Sequence, residues 1–286
     1  MKVLVTGSNG QLGSEIRKVS INHNFDWIFT NTNEFDLLDT ANINNFLDSV
    51  KPSLIINCAA FTNVDSAEDN YGIANVINNI SVSIIAKWAF HNNSKLIHIS
   101  TDFIFDGLKN KPIIETDCAK PLNNYGKTKL NGELNCLKFN KKSIIIRTSS
   151  LYSSYGNNFV KTIIKNLKNF RKINVVTDLI SSPTYAADLT DVILLFISNM
   201  KIHSGIFNYS NSGKVSKFRL ATNIKNLLGL SNVEINPISY NDLNVKAQRP
   251  KFTVLDNSKI KCALNIEQKN YLDSLNKCLK ILKNHA

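Results

Sequence analysis

Three glycines near the N-terminus constrain the fold more than any other feature of this sequence. Gly7, Gly10 and Gly13 follow the apolar residues 2–6 and come before a segment with helical spacing. Since glycine has no Cβ atom, Gly7 permits a tight turn, Gly10 lets a diphosphate approach the backbone, and Gly13 lets the helix pack on the strand. This spacing at a strand-to-helix turn predicts a dinucleotide-binding loop with the phosphates at the helix N-terminus. The cofactor contacts predicted in the loop are Gly7, Asn9, Gly10, Gln11, Leu12 and Gly13.

Strand-like and helix-like patterns alternate after this loop. Short apolar segments end at residues 6, 30, 57, 99 and 147, and segments with helical spacing separate them. This regular alternation predicts an α/β fold with a Rossmann-type, doubly wound parallel sheet that binds ligands at the carboxyl ends of its strands. The second half of the chain is less regular and predicts a smaller C-terminal α/β lobe for the substrate.

The length of the chain, 286 residues, suits one large α/β domain with such an appended lobe. We assign residues 1–148 and 172–210 to a dinucleotide-binding Rossmann domain. We assign residues 149–171 and 211–286 to a substrate-binding lobe beside the last strands of the sheet.

The charge and the cysteines narrow the class of protein. The formal net charge of +12 suggests nucleic-acid binding, but the lysines are scattered among asparagines and isoleucines without a dense basic block. We therefore expect no nucleic-acid partner, although a positive field would attract an anionic nucleotide substrate. Five cysteines without C-x-x-C spacing favour reduced thiols over a disulfide framework or a zinc site.

Membrane and export signals are not evident in the sequence. The longest apolar runs, such as residues 143–146 and 192–197, are too short to span a bilayer. The first residues lead directly into a strand pattern rather than into an apolar signal region with a cleavage site. We therefore expect a cytoplasmic protein with no membrane partner.

The end of the second strand bears on the choice of cofactor. In NAD-specific proteins an acidic residue there binds the adenine ribose hydroxyls. Residues 29–33 read Phe-Thr-Asn-Thr-Asn, so neither a carboxylate nor an arginine is present. A 2′-phosphate would meet no repulsion, and we expect a preference for NADPH, with NADH still open. Asp36 and Leu37, further along the chain, would flank the adenine.

A tyrosine and a lysine provide candidate chemistry. Tyr125 and Lys129 are four residues apart and share one face of a predicted helix. This helix comes after a strand that ends near Thr101. In a carbonyl reduction, Tyr125 would donate a proton to the developing oxyanion, and Thr101 would hydrogen-bond the substrate oxygen. Moving a phenol pKa from about 10 towards 7 requires about 4 kcal/mol, and we expect the Lys129 ammonium, which could also hold the nicotinamide ribose, to contribute most of it.

Together these stretches resemble the extended short-chain dehydrogenase/reductases, and within them the dTDP-4-dehydrorhamnose reductase family. The run Ser-Thr-Asp-Phe-Ile-Phe-Asp-Gly at residues 100–107 is specific for the branch that acts on sugar nucleotides. The matches extend over most of the chain in the family's order. They are residues 7–13, 57–68, 100–107, 125–133, 147–149, 156–159, 183–184 and 249–250.

The resemblance implies a set of functional residues. It implies a catalytic triad of Thr101, Tyr125 and Lys129. Asn78 falls where family members place a helix asparagine near the active site. Besides the glycine loop, the implied cofactor contacts are Asp36, Leu37, Ala59, Ala60, Phe61, Thr62, Asn78, Tyr125 and Lys129. The implied substrate contacts are Thr101, Asp102, Ser150, Asn158 and Arg249.

Two features depart from the family pattern. Family members commonly have a tryptophan packed against the substrate where this sequence has Ser150, so a different nucleotide or sugar stays open. Glu15 and Asp191 match acidic residues of a metal-linked dimer known in part of the family, but Ala187 occupies the third position. The neighbouring Asp188 would be turned about 100° away on a helix. We therefore do not favour a magnesium site, although one at Glu15 and Asp191 stays open, as does a homodimer.

The activity implied by the resemblance is an NADPH-dependent reduction of the 4-keto group of a nucleotide-linked 6-deoxysugar. Within the family, the expected reaction converts dTDP-4-dehydro-L-rhamnose to dTDP-L-rhamnose. Ser150 keeps a second interpretation open, in which a reductase or epimerase acts on a different nucleotide sugar. A third is a non-enzymatic regulatory subunit with a dinucleotide-binding fold, which needs neither Tyr125 nor Lys129.

Overall fold

A six-stranded parallel sheet organises the larger part of the molecule. The computed structural model describes residues 1–199 and 204–284. The strands in these ranges are β1 (Lys2–Thr6), β2 (Asp26–Thr30), β3 (Leu54–Asn57), β4 (Lys95–Thr101), β5 (Ile144–Thr148), β6 (Leu151–Tyr152), β7 (Lys172–Val176), β8 (Ile180–Ser181), β9 (Thr184–Tyr185), β10 (Gly205–Asn208), β11 (Val215–Ser216), β12 (Glu234–Ile238) and β13 (Phe252–Thr253). The large sheet has the order β2-β1-β3-β4-β5-β10, with every neighbouring pair parallel. The predicted Rossmann-type α/β fold is confirmed.

The strand order reverses beside β1. The chain places β2 on one side of β1 and then crosses to the other side for β3. The loops after β1 and β3 are therefore adjacent, but one leads towards β2 and the other towards β4, on opposite sides of this point. Sheets of this type form a ligand-binding crevice at such a switch point, outside the carboxyl ends of the strands. The glycine loop follows β1 and Ala59 follows β3, so both lie at this crevice.

Helices cover both faces of the sheet. The helices of the described residues, of which α7, α9 and α11 lie beside the sheet rather than on it, are α1 (Gln11–Ser20), α2 (Ile43–Val50), α3 (Ser66–Asp69), α4 (Tyr71–Asn75), α5 (Ser81–His91), α6 (Asn124–Phe139), α7 (Phe159–Asn169), α8 (Ala186–Ser198), α9 (Lys217–Leu228), α10 (Ser258–Leu264) and α11 (Tyr271–Asn284). Val3 and Val5 of β1 are buried with side chains of α1 and α8, whereas Leu4 is buried on the other face with side chains of α2 and α5. This alternation is what a parallel sheet covered on both faces requires.

A long helix covers one of these faces. α4, a π-helical segment at Val76–Ile80 and α5 follow one another without a break. By length and composition alone, the stretch Tyr71–His91, with a mean hydropathy of 1.2, could cross a membrane. The sequence-based expectation concerned only uninterrupted apolar runs, and so it did not identify this longer helix as a possible span. Its Val82 and Ile85 are buried against the sheet, which accounts for one apolar face of the stretch, whereas Phe90 is exposed.

A second hydrophobic core lies beside the sheet. It is built by side chains from α7, α9, α11 and β7. β7 pairs with β12 rather than with the large sheet, because Ile173 and Val175 are buried in this second core. Residues 172–176 thus differ from the sequence-based assignment to the Rossmann domain. α10 also differs from the sequence-based assignment. That assignment places it in the substrate-binding lobe, but its Ile260 is buried in the core of the large sheet.

Candidate active site

A cavity of about 730 Å³ opens at the carboxyl edge of the sheet. Its walls come from the loops after β1, β2, β3 and β4, from the first turns of α6, and from residues that follow β5. The predicted site residues that line it are Gly7, Asn9, Gly10, Gln11, Leu12, Gly13, Asp36, Leu37, Ala59, Ala60, Thr62, Thr101, Asp102, Tyr125, Lys129 and Ser150. The structure thus brings the glycine loop, the tyrosine–lysine pair and part of the predicted substrate site into one space.

The glycine loop shapes the dinucleotide end of the cavity. Gly7 has a φ of +64°, and a Cβ atom there would lie 2.7 Å from the Ala59 nitrogen. A Cβ atom on Gly13 would lie 2.5 Å from the Gly7 carbonyl oxygen, so both positions require glycine. At Gly10, the N-cap of α1, a Cβ atom would meet only that carbonyl oxygen, at 3.1 Å, among the described residues. The loop therefore has the space and the helix N-terminus that a dinucleotide diphosphate needs.

The turn after β2 forms the outer part of the same end. Asn31 and Thr32 line the cavity there, as do Asp36 and Leu37. The carboxylate of Glu34 accepts a hydrogen bond from the Asn31 backbone N–H at 2.8 Å. The side chains of Asn31 and Thr32, directly after β2, are neutral, as the sequence indicates, whereas Glu34 and Asp36 further along carry carboxylates.

Tyr125 stands at the other end of the cavity. Asn123 caps α6 by accepting from the Gly126 N–H at 2.8 Å, which places the first turn of the helix beside the end of β4. The Tyr125 ring packs edge-on against Phe103, with ring centroids 5.8 Å apart. Burial raises the pKa of Tyr125 to about 12, although a hydrogen bond with the Thr101 side chain opposes this rise. The phenol therefore holds its proton at neutral pH.

Lys129 does not affect Tyr125 as the sequence-based argument expects. Its buried ammonium donates to the Ile99 carbonyl oxygen at 2.6 Å and lies 3.5 Å from His98 Nε2. Burial lowers the pKa of Lys129 to about 8. The expectation that this ammonium moves the phenol pKa towards 7 is wrong for the protein chain on its own. The physical reason is that both groups are desolvated, and the ammonium is bonded to a strand carbonyl.

A row of buried polar side chains lies behind Lys129. Thr6 Oγ1 donates to Asn57 Oδ1 at 2.7 Å, and Asn57 Nδ2 lies 3.1 Å from His98 Nδ1. Burial and the nearby Lys129 hold the pKa of His98 well below its ordinary value, so the imidazole is neutral. The row joins β1, β3 and β4 to the lysine. Sequence reasoning missed it, because its members come from three separate strands and share no local motif.

The substrate end contains a cation that the sequence did not reveal. Ser150 has a left-handed φ of +45°, and Lys217 Nζ at the start of α9 donates to Ser150 Oγ at 3.0 Å. Burial lowers the pKa of Lys217 to about 8, while the Asp102 carboxylate acts in the opposite sense. Asp102 is itself buried and accepts from Ser149 Oγ at 2.6 Å. Lys217 and Ser150 are 67 residues apart, so no local motif could indicate their contact.

Two predicted cofactor contacts bind each other instead of lining the cavity. Asn78 is buried on the π-helical segment and accepts from the Phe61 backbone N–H at 2.8 Å. It also donates to the Phe61 carbonyl oxygen at 3.0 Å and to Thr128 Oγ1 at 3.0 Å. Asn78 therefore holds the loop after β3 against α6, which carries Tyr125. This is a positioning role, and the expected direct contacts of Asn78 and Phe61 with the cofactor are not seen in the cavity wall.

Two predicted substrate contacts also have partners within the chain. Asn158 caps α7, and its amide donates to Gln11 Oε1 at 3.0 Å. Arg249 forms an ion pair with Asp65 at 2.6 Å. Neither side chain is on the cavity wall, although Asn157, next to Asn158, is. These contacts explain why neither side chain reaches the cavity: Arg249 is paired with an opposite charge, and the Asn158 amide is hydrogen-bonded to another amide.

The acidic residues considered for a metal have other partners too. Glu15 accepts from Ser153 Oγ at 2.6 Å, and burial raises its pKa. Asp191 pairs at 2.7 Å with Lys269, which also pairs with Asp188 at 2.9 Å. Within residues 1–199 and 204–284, no group of three or more His, Cys, Asp or Glu side chains could hold a metal ion. These residues therefore do not fit a magnesium site within one chain.

The parallel sheet, the glycine loop and the Tyr125–Lys129 pair define an NAD(P)H-dependent oxidoreductase of the short-chain dehydrogenase type. The chain belongs to the RmlD substrate binding domain family, whose family model matches residues 1–284. The resemblance to the dTDP-4-dehydrorhamnose reductase family is thereby confirmed.

Relatives and solved structures agree with this membership over the whole chain. The dTDP-4-dehydrorhamnose reductase of Aggregatibacter actinomycetemcomitans is 35% identical, with 96% of this chain and 97% of the relative covered. The crystal structure of a dTDP-4-dehydrorhamnose reductase from Clostridium acetobutylicum has a TM-score of 0.95 and 36% identity, and covers 99% of this chain and 100% of its own. The dTDP-4-dehydrorhamnose reductase from Bacillus anthracis, solved in complex with NADP, has a TM-score of 0.93 and 32% identity over 98% of both chains.

Proposed function

We propose that the protein uses NADPH to reduce the 4-keto group of dTDP-4-dehydro-L-rhamnose and so forms dTDP-L-rhamnose. The observation that carries the proposal is the protonated Tyr125 phenol beside Thr101, in the same cavity as the glycine loop. A carbonyl reduction needs a proton donor and a dinucleotide-binding loop that share one space. The named activities of the relatives support a dTDP-linked 4-keto sugar as the substrate.

The residues of the reactive end have distinct roles in this proposal. A bound nicotinamide supplies a hydride to the C4 carbonyl carbon. Tyr125 donates its phenolic proton to the carbonyl oxygen, so that hydride and proton together convert the ketone to an alcohol. Thr101 holds the same oxygen by a hydrogen bond, and Lys129 holds the ribose next to the nicotinamide. Because Lys129 is itself bonded to Ile99, its ammonium is positioned before any ligand arrives.

NADPH is the proposed cofactor because of the turn after β2. Asn31 and Thr32 stand where an NAD-specific protein places a carboxylate. Neutral side chains there do not repel a 2′-phosphate. We also infer a cytoplasmic enzyme that needs neither magnesium nor a nucleic-acid or membrane partner, and that uses its net charge of +12 to attract a nucleotide-linked substrate.

Ser150 favours a second candidate, a reductase or epimerase that acts on another nucleotide sugar. Ser150 gives this end of the cavity wall a polar surface, and the Lys217 ammonium lies behind it, bonded to the Ser150 hydroxyl. An apolar stacking residue would favour a different ligand group. In this second candidate the substrate differs from dTDP-4-dehydro-L-rhamnose in the nucleotide or in the sugar. A reductase would use Tyr125 as its proton donor as in the first candidate, whereas an epimerase would invert a sugar carbon without net reduction.

A panel of enzymatically prepared 4-keto sugar nucleotides would test both candidates. We expect NADPH oxidation with dTDP-4-dehydro-L-rhamnose, and an NMR spectrum of the product that shows the equatorial C4 hydroxyl of dTDP-L-rhamnose. Turnover of another member alone would establish the second candidate. Lack of both NADPH oxidation and NMR-detected epimerisation with every member, in a preparation that binds NADPH, would contradict both candidates and favour a regulatory subunit.

A further inference from the structure

A second, smaller cavity adjoins the dinucleotide end of the active site. It has a volume of about 260 Å³ and is lined by Ser8, Asn9, Ser14, Arg17, Lys18 and Tyr155. Asn9 belongs to the walls of both cavities, so the two spaces are neighbours. The ionised groups of this lining at neutral pH are the cations Arg17 and Lys18. The small cavity is therefore a polar, positively charged recess beside the glycine loop.

Arg17 is held in this recess by two contacts. Its guanidinium donates to Ser8 Oγ at 2.7 Å and stacks over the Phe29 ring, 4.9 Å from the centroid. Ser8 is buried and donates its backbone N–H to the Thr30 carbonyl oxygen at 3.0 Å. The guanidinium therefore lies next to the end of β2. An arginine has five N–H donors, so the bond to Ser8 leaves others for a ligand.

The end of β2 is where the adenine ribose of a dinucleotide lies in sheets of this type. Its 2′-substituent would face the loop after β1 and the turn at Asn31, which lines the main cavity. The carboxylates of Glu34 and Asp36 follow on that turn, and each accepts a hydrogen bond from a backbone N–H group. A cation on α1 can thus replace the arginine that residues 29–33 lack. Sequence reasoning missed it because Arg17 belongs to a different element from the turn.

We propose that Arg17 binds the 2′-phosphate of NADPH and makes this enzyme prefer NADPH to NADH, an inference that rests on the proposed function. The guanidinium forms the charge-assisted hydrogen bonds with the phosphate oxygens, for which its planar fork is suited. Lys18 adds positive potential at the rim. Stacking on Phe29 keeps the guanidinium in place, so little side-chain entropy is lost on binding.

Calorimetric titration of the full chain with four probes tests this assignment without the sugar substrate. The probes are NADP⁺, NAD⁺, adenosine 2′,5′-bisphosphate and AMP. We expect Arg17→Gln to weaken binding of the two 2′-phosphorylated probes by about 10- to 100-fold and to leave NAD⁺ and AMP unchanged. The affinities of Arg17→Lys for these two probes should lie between those of the parent and of Arg17→Gln, since lysine keeps the charge but not the planar guanidinium. Arg171→Gln, which removes an exposed arginine directly before β7, is the matched control and should change none of the four affinities.

The outcomes separate this inference from the proposed function. If Arg17→Gln weakens all four probes equally, or none of them, the assignment of the 2′-phosphate to Arg17 is overturned. It is also overturned if the parent protein binds NADP⁺ no more tightly than NAD⁺. Failure of the proposed function would instead be seen as lack of turnover of every 4-keto sugar by a protein whose affinities still depend on Arg17. Raising the salt concentration should reduce the NADP⁺ preference of the parent and have less effect on Arg17→Gln.

Discussion

The two ends of the active-site cavity are built in different ways. At the dinucleotide end, residues 7–13 supply a loop whose shape depends on the absence of side chains. At the reactive end, the polar groups of Thr101, Tyr125, Ser150 and Lys217 come from separate elements. The first end is a local structure that a short sequence can specify. The second exists only after distant parts of the chain have packed together, and its pKa values depend on that packing.

The largest expected effect tests the chemistry of the reactive end. Tyr125→Phe removes the proton donor while keeping the ring that packs on Phe103. We expect kcat to fall about 1000-fold, within the range for loss of a general acid, with unchanged NADPH affinity by fluorescence titration. Tyr71→Phe is the control, because Tyr71 is exposed on the surface of a helix. Substantial turnover by Tyr125→Phe would remove this residue from the proposed mechanism.

The next effect tests the dinucleotide end alone. In Gly10→Val the new side chain would extend into the space for the diphosphate, since few protein atoms surround that position. We expect NADPH affinity to fall about 10- to 100-fold, equivalent to overpacking by about 1–3 kcal/mol, with little change in melting temperature. Gly72→Ala, where a Cβ atom meets no described atom within 4 Å, should leave both quantities unchanged. Equal NADPH affinity of Gly10→Val and the parent would contradict the assigned loop.

A third effect separates stability from function at the reactive end. Because burial lowers the pKa of Lys129 from 10.5 to about 8, its ammonium costs about 3 kcal/mol of folding free energy below pH 8. The cost declines as the pH rises from 8 and vanishes above 10.5, since the lysine is then neutral in both states. Lys129→Met should therefore be inactive yet more stable at pH 7, by about 1–2 kcal/mol after loss of the Ile99 hydrogen bond.

Denaturant unfolding at several pH values measures this difference in stability. We expect the advantage of Lys129→Met over the parent to shrink between pH 8 and 10. Lys127→Met provides the comparison, because Lys127 is exposed on the same helix and its replacement should shift stability by less than about 0.5 kcal/mol. A Lys129→Met variant that is less stable than the parent at every pH would mean that the buried ammonium stabilises the fold.

The smallest effect concerns the sugar. Lys217→Met removes the cation beside Ser150 and Asp102. We expect the KM for the sugar nucleotide to rise about 10-fold, the equivalent of one hydrogen bond to a charged group, with NADPH affinity unchanged. Lys214→Met, at an exposed position in the same segment, should behave as the parent. An unchanged KM for Lys217→Met would show that the cation faces away from the bound sugar nucleotide.

The same contrast explains what the sequence could predict. β1, β3 and α2 end where their apolar patterns end, and the glycine loop is contiguous, so the fold and the dinucleotide end follow from local patterns. β8, β11 and β13 contain only two residues each and have no pattern of their own. Their pairing brings together segments that are distant in the chain, so no short stretch encodes it.

The candidate site shows the same limit at the level of side chains. The Tyr125–Lys129 pair was evident from its spacing, whereas the direction of the Lys129 ammonium depends on Ile99 and His98 in a neighbouring strand. The partner of Arg249 is Asp65, 184 residues away. A residue type and its neighbours in sequence indicate what chemistry a side chain can do. Only the folded chain decides which partner it has.

The π-helical segment at Val76–Ile80 has a consequence for how the family is compared and redesigned. A π-turn contains one residue more than an α-turn, so the two halves of the helix from Tyr71 to His91 differ in register by an insertion of one residue. Deleting one residue here would give a regular α-helix and swing the first half by about 100° relative to the second. Asn78 would then lose its hydrogen bonds to Phe61 and Thr128, and the loop after β3 would no longer be connected to α6 through this side chain. An alignment with a gap in this segment would therefore mark a relative whose active site is assembled in another way.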